Sequence, residues 1–320
     1  MPAPGEFELI ERFFTRPARR ATLGVGDDCA LIEPTPGMTL AVSSDMLIEG
    51  RHFLSTVAPD RLGHKALAVN LSDLAACGAK PLAFTLALAL PAADEVFLAG
   101  FAAGLFALAE REGCELIGGD TTRGPLAICI TVFGELPPQA ALLRSGARPG
   151  DDLYVSGTLG DARLALEVFR GTVALDETSF RQVRQAMETP MARVGLGLAL
   201  RGLATSAIDV SDGLIGDLRH ILARSVVGAV IDVDALPRSD IVAAQAPALQ
   251  RECLLAGGDD YELVFSAPSE RRAAIAAAAA GAGVAVTRVG AIEAGQALRL
   301  VDRSGAAITS DTRSFDHFRA

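Results

Sequence analysis

Six short stretches of the chain set aspartate beside glycine or serine in one recurring pattern, most of them next to short apolar runs. They are Gly24-Val-Gly-Asp-Asp28, Ser43-Ser-Asp45, Asn70-Leu-Ser-Asp73, Gly118-Gly-Asp120, Asp209-Val-Ser-Asp-Gly213 and Gly257-Gly-Asp-Asp260. Glycine lets a backbone turn sharply or come close to a ligand. Aspartate offers a hard oxygen ligand to a divalent cation. The run Leu116 to Gly124 states the pattern most fully: a strand enters a glycine pair, then Asp120, two threonines and Arg123, whose planar fork suits phosphate. One such turn is ordinary turn or cap chemistry. Six predict that the acidic turns converge on one site for cations and phosphates.

Both strand and helix periods can be read around these turns. Glu6 to Phe14 reads as a short helix, Arg61 to Cys77 as a helix stopped by Gly78, and Glu95 to Arg111 as another. Met38–Val42, Phe84–Leu90 and Leu126–Gly134 read as strands, with Ser43, Ser44 and Asp45 at the end of the first. Asp73 lies off the leucine stripe of its helix, on a mostly apolar face where a carboxylate is costly unless it binds something. The prolines and glycine between Pro137 and Gly150 suggest a linker. The expected division is therefore 1–137 and 138–320. Beyond it, strands are expected at Leu153–Val155, Ile208–Val210, Tyr261–Ser266, Val284–Val289 and Leu298–Val301, with helices at Ala162, Leu214–Ala223 and Arg271–Ala280. Short motifs echo between the halves, hinting at related domains.

With 50% hydrophobic and 21% charged residues, the chain is globular rather than disordered. The uncharged apolar stretch Val96 to Ala109 is shorter than the roughly 20 residues of a membrane span, so no span is expected. Early glutamates (Glu6, Glu8, Glu11) argue against a signal peptide. Five scattered cysteines without a Cys-x-x-Cys pair suit reduced thiols in a cytoplasm, neither disulfides nor zinc. A net charge of -10 disfavours nucleic acid. It also means that phosphate binding needs positive charge from outside the chain, which metal ions supply.

Asp161 reads as a helix-start residue, and Arg144 taken alone as a solvated arginine. His64 and His220 read as structural or solvated, and His317 as part of an aromatic cluster with Phe315 and Phe318. His52, seven residues after Asp45, stays open on spacing alone. No Ser/His/Asp arrangement, P-loop or His-Arg-Asp loop is present.

Taken together, Gly24–Asp28, Ser43–Asp45, Asn70-Leu-Ser-Asp-Leu-Ala-Ala-Cys-Gly-Ala-Lys-Pro81, Gly118-Gly-Asp-Thr121, Asp209-Val-Ser-Asp-Gly-Leu214, Gly257-Gly-Asp-Asp-Tyr-Glu-Leu263 and Phe315-Asp-His-Phe318 resemble the thiamine-monophosphate kinase family, in order and spacing along nearly the whole chain. Asp259 stands where that family often has glutamate, and Phe315 where tyrosine or tryptophan is common. The resemblance implies an α+β fold of two domains, a homodimer whose N-terminal sheets pair into a β-barrel, with an α/β sandwich-like C-terminal domain alongside. It implies transfer of the γ-phosphoryl group of ATP to thiamine monophosphate with several Mg²⁺ ions. Carried over by position, Asp28, Ser43, Ser44, Asp45, Asp73, Asp120, Asp209 and Asp212 would hold metal. Gly119, Asp120, Arg144 and Ser211 would contact ATP, and His52, Asp260 and Phe315 the thiamine phosphate. No side-chain nucleophile or base is expected, because the acceptor phosphate is already mostly dianionic at neutral pH. The rivals are other ATP-using members of the superfamily and a non-catalytic nucleotide- or calcium-binding module. Selenophosphate synthetase would want a reactive cysteine in a glycine-rich segment before Gly24. The non-catalytic module has no need of both Arg144 and the Gly257 turn.

Overall fold

Residues alternate in exposure along Thr39–Ile48, and that alternation organises the N-terminal half. The computed structural model describes residues 5–309 and 314–315, which fall into two units. The first takes in Met1–Leu74 and Ala79–Gln139, the second Ala75–Gly78 and Ala140 onward.

The first unit begins with α1 (Glu6–Leu9), which runs on as a π-turn over Ile10–Phe14, and a small hairpin of β1 (Ala21–Leu23) and β2 (Leu31–Ile32). Then come β3 (Thr39–Ile48), α2 (Pro59–Ala76), β4 (Lys80–Leu90), α3 (Glu95–Glu112), β5 (Glu115–Arg123) and β6 (Ala127–Leu136). Gly78, at φ +66°, ends α2 in the left-handed conformation that favours glycine. Asp94 caps α3 by accepting the Val96 and Phe97 N–H groups, a contact worth about 1 kcal/mol.

The four long strands form one sheet in the order β3-β6-β4-β5. Only β4 and β5 are parallel, and α3 makes the crossover between them. One sheet face is covered. Phe84, Leu86 and Leu88 of β4 and Ile128, Ile130 and Val132 of β6 are buried, as are Leu67, Leu71 and Leu74 of α2 and Leu98, Phe101 and Leu105 of α3. The two helices touch backbone to backbone: a Cβ on Gly104 would sit 1.7 Å from the Asp60 carbonyl oxygen.

The other sheet face is open. Leu40, Val42, Met46 and Ile48 are 39%, 57%, 53% and 41% exposed, and the cross-strand register puts Thr131, Cys129 and Ala87 beside them. Four strands with two outer edges form no closed barrel within one copy.

The second unit contains β7 (Asp152–Ser156), α4 (Asp161–Phe169), α5 (Glu177–Glu188), α6 (Val194–Ala199), β8 (Ser206–Asp209), α7 (Leu214–Ser225), β9 (Gly228–Asp232), α8 (Asp240–Ala243), α9 (Pro247–Ala256), β10 (Leu263–Ala267), α10 (Arg272–Ala282), β11 (Val286–Glu293) and β12 (Leu298–Val301). Its six strands run β12-β9-β11-β7-β10-β8, antiparallel except for β12 against β9. The central strands β7 and β10 are buried at every residue, so both faces of this sheet are covered. Val155, Ile208, Leu218, Leu254 and Val264 belong to its main core.

Asp152 is held inside this unit by charge. It is 3% exposed and takes two hydrogen bonds from Arg272, at 2.6 and 2.9 Å, with Arg288 3.3 Å away. The Arg272 hydrogen bonds hold its carboxyl below the usual range, against the opposing pull of burial. A carboxyl lowered on folding adds stability above its unfolded pKa, near 4, and loses it as pH falls. Arg272→Met should therefore lower the melting temperature at neutral pH. The gap from wild type should close as melts are repeated at increasingly acidic pH.

Candidate active site

In the first unit, Asp73 sits on α2 beneath the middle of β3. Ser43 Oγ donates to Asp73 Oδ2 at 2.5 Å, and the Asp45 backbone N–H donates to Asn70 Oδ1 at 3.0 Å. Asn70 is buried and is itself fixed by donating to the Ala66 carbonyl. Strand and helix are thus pinned together by Ser43 on Asp73 and by the Asp45 backbone on Asn70. Ser44 points the opposite way, onto the open face, and its Oγ lies 2.9 Å from Thr131 Oγ1. His52 Nδ1 accepts the Ile48 N–H at 3.0 Å, which shapes the turn after β3. Asp28 is exposed, and its N–H donates to Asp27 Oδ1.

Two expectations from the sequence are corrected. Ser43–Asp45 does not end a strand: β3 stays in register with β6 for all ten residues, to Ile48 against Ala127. Gly118 to Arg123 is likewise strand, paired with β4, rather than a turn after one. Polar side chains interrupt the apolar pattern in both, but Ser44 and Asp120 lie on the open face and Ser43 is satisfied by Asp73 beneath the other, so the hydrogen-bond ladder runs on.

Gly119 is required where it stands. It holds φ +148°, and a Cβ there would lie 1.8 Å from the Leu86 carbonyl oxygen. Next to it, Asp120 is exposed and in register with Ala87 on the open face. Asp120 and Asp45 thus occupy the two outer strands and opposite faces. Three strand spacings separate those strands, about 14 Å. Two ligands of one Mg²⁺ lie at most about 4 Å apart, so a single copy does not bring this pair together.

In the second unit, two motif turns interlock. After β8 the chain runs through Val210-Ser211-Asp212-Gly213 into α7, and before β10 it runs through Gly257-Gly258-Asp259-Asp260-Tyr261. Val210 N–H donates to the Glu262 carbonyl, Tyr261 N–H to the Val210 carbonyl and Asp259 N–H to the Ser211 carbonyl, all at 2.8–2.9 Å. Asp259 and Tyr261 adopt φ +67° and +51°, a left-handed conformation that costs a non-glycine residue about 1 kcal/mol or more and persists only where the surroundings impose it. The Tyr261 hydroxyl donates to Asp259 Oδ1. Gly258 passes so close to Ser211 that a Cβ would meet its carbonyl oxygen at 2.4 Å.

This platform is crowded with acid. Asp209 is buried at the end of β8, and Asp212 is half-buried three residues on. Asp260 accepts the Gly160 N–H with both carboxylate oxygens. Burial holds its carboxyl well above the usual range, and the charges of Glu262, Asp161 and Asp259 add to the effect. Asp161, at the start of α4, is raised by burial and accepts from Ser239 Oγ. Arg144 is exposed, and its carbonyl accepts from Ser225 Oγ. Phe315 is 47% exposed, and its N–H donates to the Asp212 carbonyl. His317 and Phe318 lie outside the described residues.

Among the described residues, no three His, Cys, Asp or Glu side chains already stand as a metal cage. The donors that do meet, Ser43 and Asp73 with Asp45 beside them, are all oxygen. So are the crowded carboxylates of the second unit. A hard divalent cation fits such sets, and it would relieve the like-charge crowding. Thiolate or imidazole metals do not fit them.

Residues 26–136 match the model of the AIR synthase related protein N-terminal domain, and residues 148–303 that of the C-terminal domain. The two units therefore define a protein of the AIR synthase related class. Along 99% of both chains it is 46% identical to thiamine-monophosphate kinase of Salmonella typhimurium. The crystal structure of thiamine-monophosphate kinase from Stenotrophomonas maltophilia K279a superposes with a TM-score of 0.85, at 42% identity, covering 94% of this chain and 96% of that one. AaThiL complexed with AMPPCP and TMP superposes at 0.77, at 30% identity, covering 89% of each. The chain belongs to the thiamine-monophosphate kinase family, and it is an enzyme.

Sequence reasoning missed Asp217, Asn70 and the interlock of the two turns. Asp217 offered no distinct signal, since an acid in the first turn of a helix is ordinary. Among the described residues, no helix is long and apolar enough to cross a membrane.

Proposed function

We propose that this chain transfers the γ-phosphoryl group of ATP to thiamine monophosphate. An oxygen of the acceptor phosphate forms a bond to the γ-phosphorus, the bond to the β,γ-bridging oxygen breaks, and ADP and thiamine diphosphate leave. The observation that carries this reading is family membership along nearly the whole chain. The AMPPCP and TMP held together in AaThiL support the pair of substrates.

Both reactants are anions. Two unit charges about 4 Å apart repel by roughly 4 kcal/mol at an effective dielectric near 20. Bound Mg²⁺ supplies the positive charge that offsets this, and several ions are expected. Asp28, Ser43, Ser44, Asp45, Asp73 and Asp120 of the first unit and Asp209 and Asp212 of the second would hold them. Gly119, Asp120, Arg144 and Ser211 would orient ATP. His52 and Asp260 would meet the thiamine phosphate, with the Phe315 ring against its cationic heterocycle. Transfer is direct and in line, since the acceptor needs no general base. The regions 1–137 and 138–320 would divide the labour, the first for cations and dimerisation, the second for completing nucleotide and substrate binding. Reduced cysteines suit work in the cytoplasm.

The open face of the first unit supports a homodimer. Two copies facing each other would bury Leu40, Val42, Met46 and Ile48, and joining β3 of one to β5 of the other would close eight strands, a number whose interior side chains just fill. That closure would also bring the Asp120 strand of one copy beside the Ser44 strand of the other, with Asp120 and Ser44 on the same inner face, so a cation site there would draw on both copies. The test of the activity is ATP consumption with thiamine monophosphate, thiamine and an aminoimidazole ribonucleotide precursor offered separately. Only the first should turn over.

A further inference from the structure

Asp217 lies four residues into α7, is 4% exposed, and points back into the turn before the helix. Its Oδ2 accepts the backbone N–H groups of Ser211, Asp212 and Gly213, each at 3.1 Å. Three successive N–H groups aimed at one point form a concavity that would take an anion from solution. Here the chain's own carboxylate fills it, and Gly213, the residue that would normally cap α7, has no side chain to do so. The turn is therefore closed to phosphate at its N–H face and leaves the Ser211 and Asp212 side chains to act on its other side. The Ser211 carbonyl, occupied by Asp259 N–H, and the Asp212 carbonyl, occupied by Phe315 N–H, fix the turn from two more directions.

We propose that Asp217 is a positioning residue, whose carboxylate locks the Ser211–Gly213 turn so that Asp212 is presented to a divalent cation rather than the turn's N–H groups to a phosphate. This rests on the reading above that Asp209 and Asp212 are cation ligands. Asp217 itself is buried beneath the turn, its Oδ2 engaged by the turn's own N–H groups.

The test compares wild type with Asp217→Ala and Asp217→Asn, which keeps one acceptor oxygen in the same volume. Two quantities are read: Mn²⁺ affinity by electron paramagnetic resonance without substrates, and the Mg²⁺ dependence of turnover with thiamine monophosphate. A supporting group behind a metal ligand costs about tenfold or more when removed. Asp217→Ala should weaken both by that factor while KM for thiamine monophosphate stays within about twofold. Asp217→Asn should fall between wild type and Ala. A folded Asp217→Ala with wild-type Mn²⁺ and Mg²⁺ dependence overturns the proposal. If the alanine variant fails to fold, Asp217→Asn with wild-type Mn²⁺ affinity overturns it. A wild type that binds Mn²⁺ but ignores thiamine monophosphate sinks the kinase reading alone, because the Mn²⁺ comparison still decides for Asp217. A wild type that binds no Mn²⁺ overturns both.

Discussion

Asp120→Asn is expected to reduce thiamine monophosphate-dependent ATP turnover by about a thousandfold, the scale seen when a group stabilising transition-state charge is removed. Asp120 is exposed on an outer strand, so the melting temperature should hardly move, as is usual for surface substitutions. Loss of turnover with an intact fold separates a ligand role from a structural one. The position of Asp120 adds a sharper expectation. If its partner Ser44 comes from the second copy, mixing Asp120→Asn chains with Ser44→Ala chains should restore activity, because each mixed dimer regains one intact site of two. The separate variants should stay inactive. Mixed chains as inactive as their parents would place each site within one copy.

Met46→Lys should have the second large effect. Met46 is 53% exposed on the open apolar face. A lysine there would have to enter an apolar interface without a counter-charge, at a cost of about 3 kcal/mol, which is roughly a hundredfold in dissociation constant. Wild type should sediment at twice its 33.2 kDa chain mass, and Met46→Lys at the chain mass with little activity. A variant that stays dimeric, or a wild type that is monomeric and fully active, would refute the shared site.

Much of the fold could be seen in the sequence. Leu298–Val301 and the start of α7 at Leu214 coincide with the structure because clean apolar periods and Gly213 mark them. The strands around Ser43 and Gly118 extend further than the apolar pattern predicts, since polar side chains break that pattern without breaking the hydrogen-bond ladder. The helix Pro247–Ala256 and the strand Gly228–Asp232 went unseen. The helix begins at a proline, and the strand is too short to show a period.

For the site, residue types were legible but partnerships were not. The acidic motifs could be found by eye, and their oxygens suit a hard cation. That Ser43 reaches Asp73, that Asp45 and Asp120 sit on opposite faces, and that Asp217 fills its own turn all depend on register and on helix direction. Single-chain spacing does not encode those.

The most direct measurement is thiamine diphosphate formation from ATP and thiamine monophosphate as free Mg²⁺ is titrated. Formation should vanish in excess chelator, return with Mg²⁺ more steeply than a single binding site allows, and stay absent when thiamine replaces its monophosphate. Undiminished product in the presence of chelator would mean that these carboxylates do not join two anionic reactants through divalent cations.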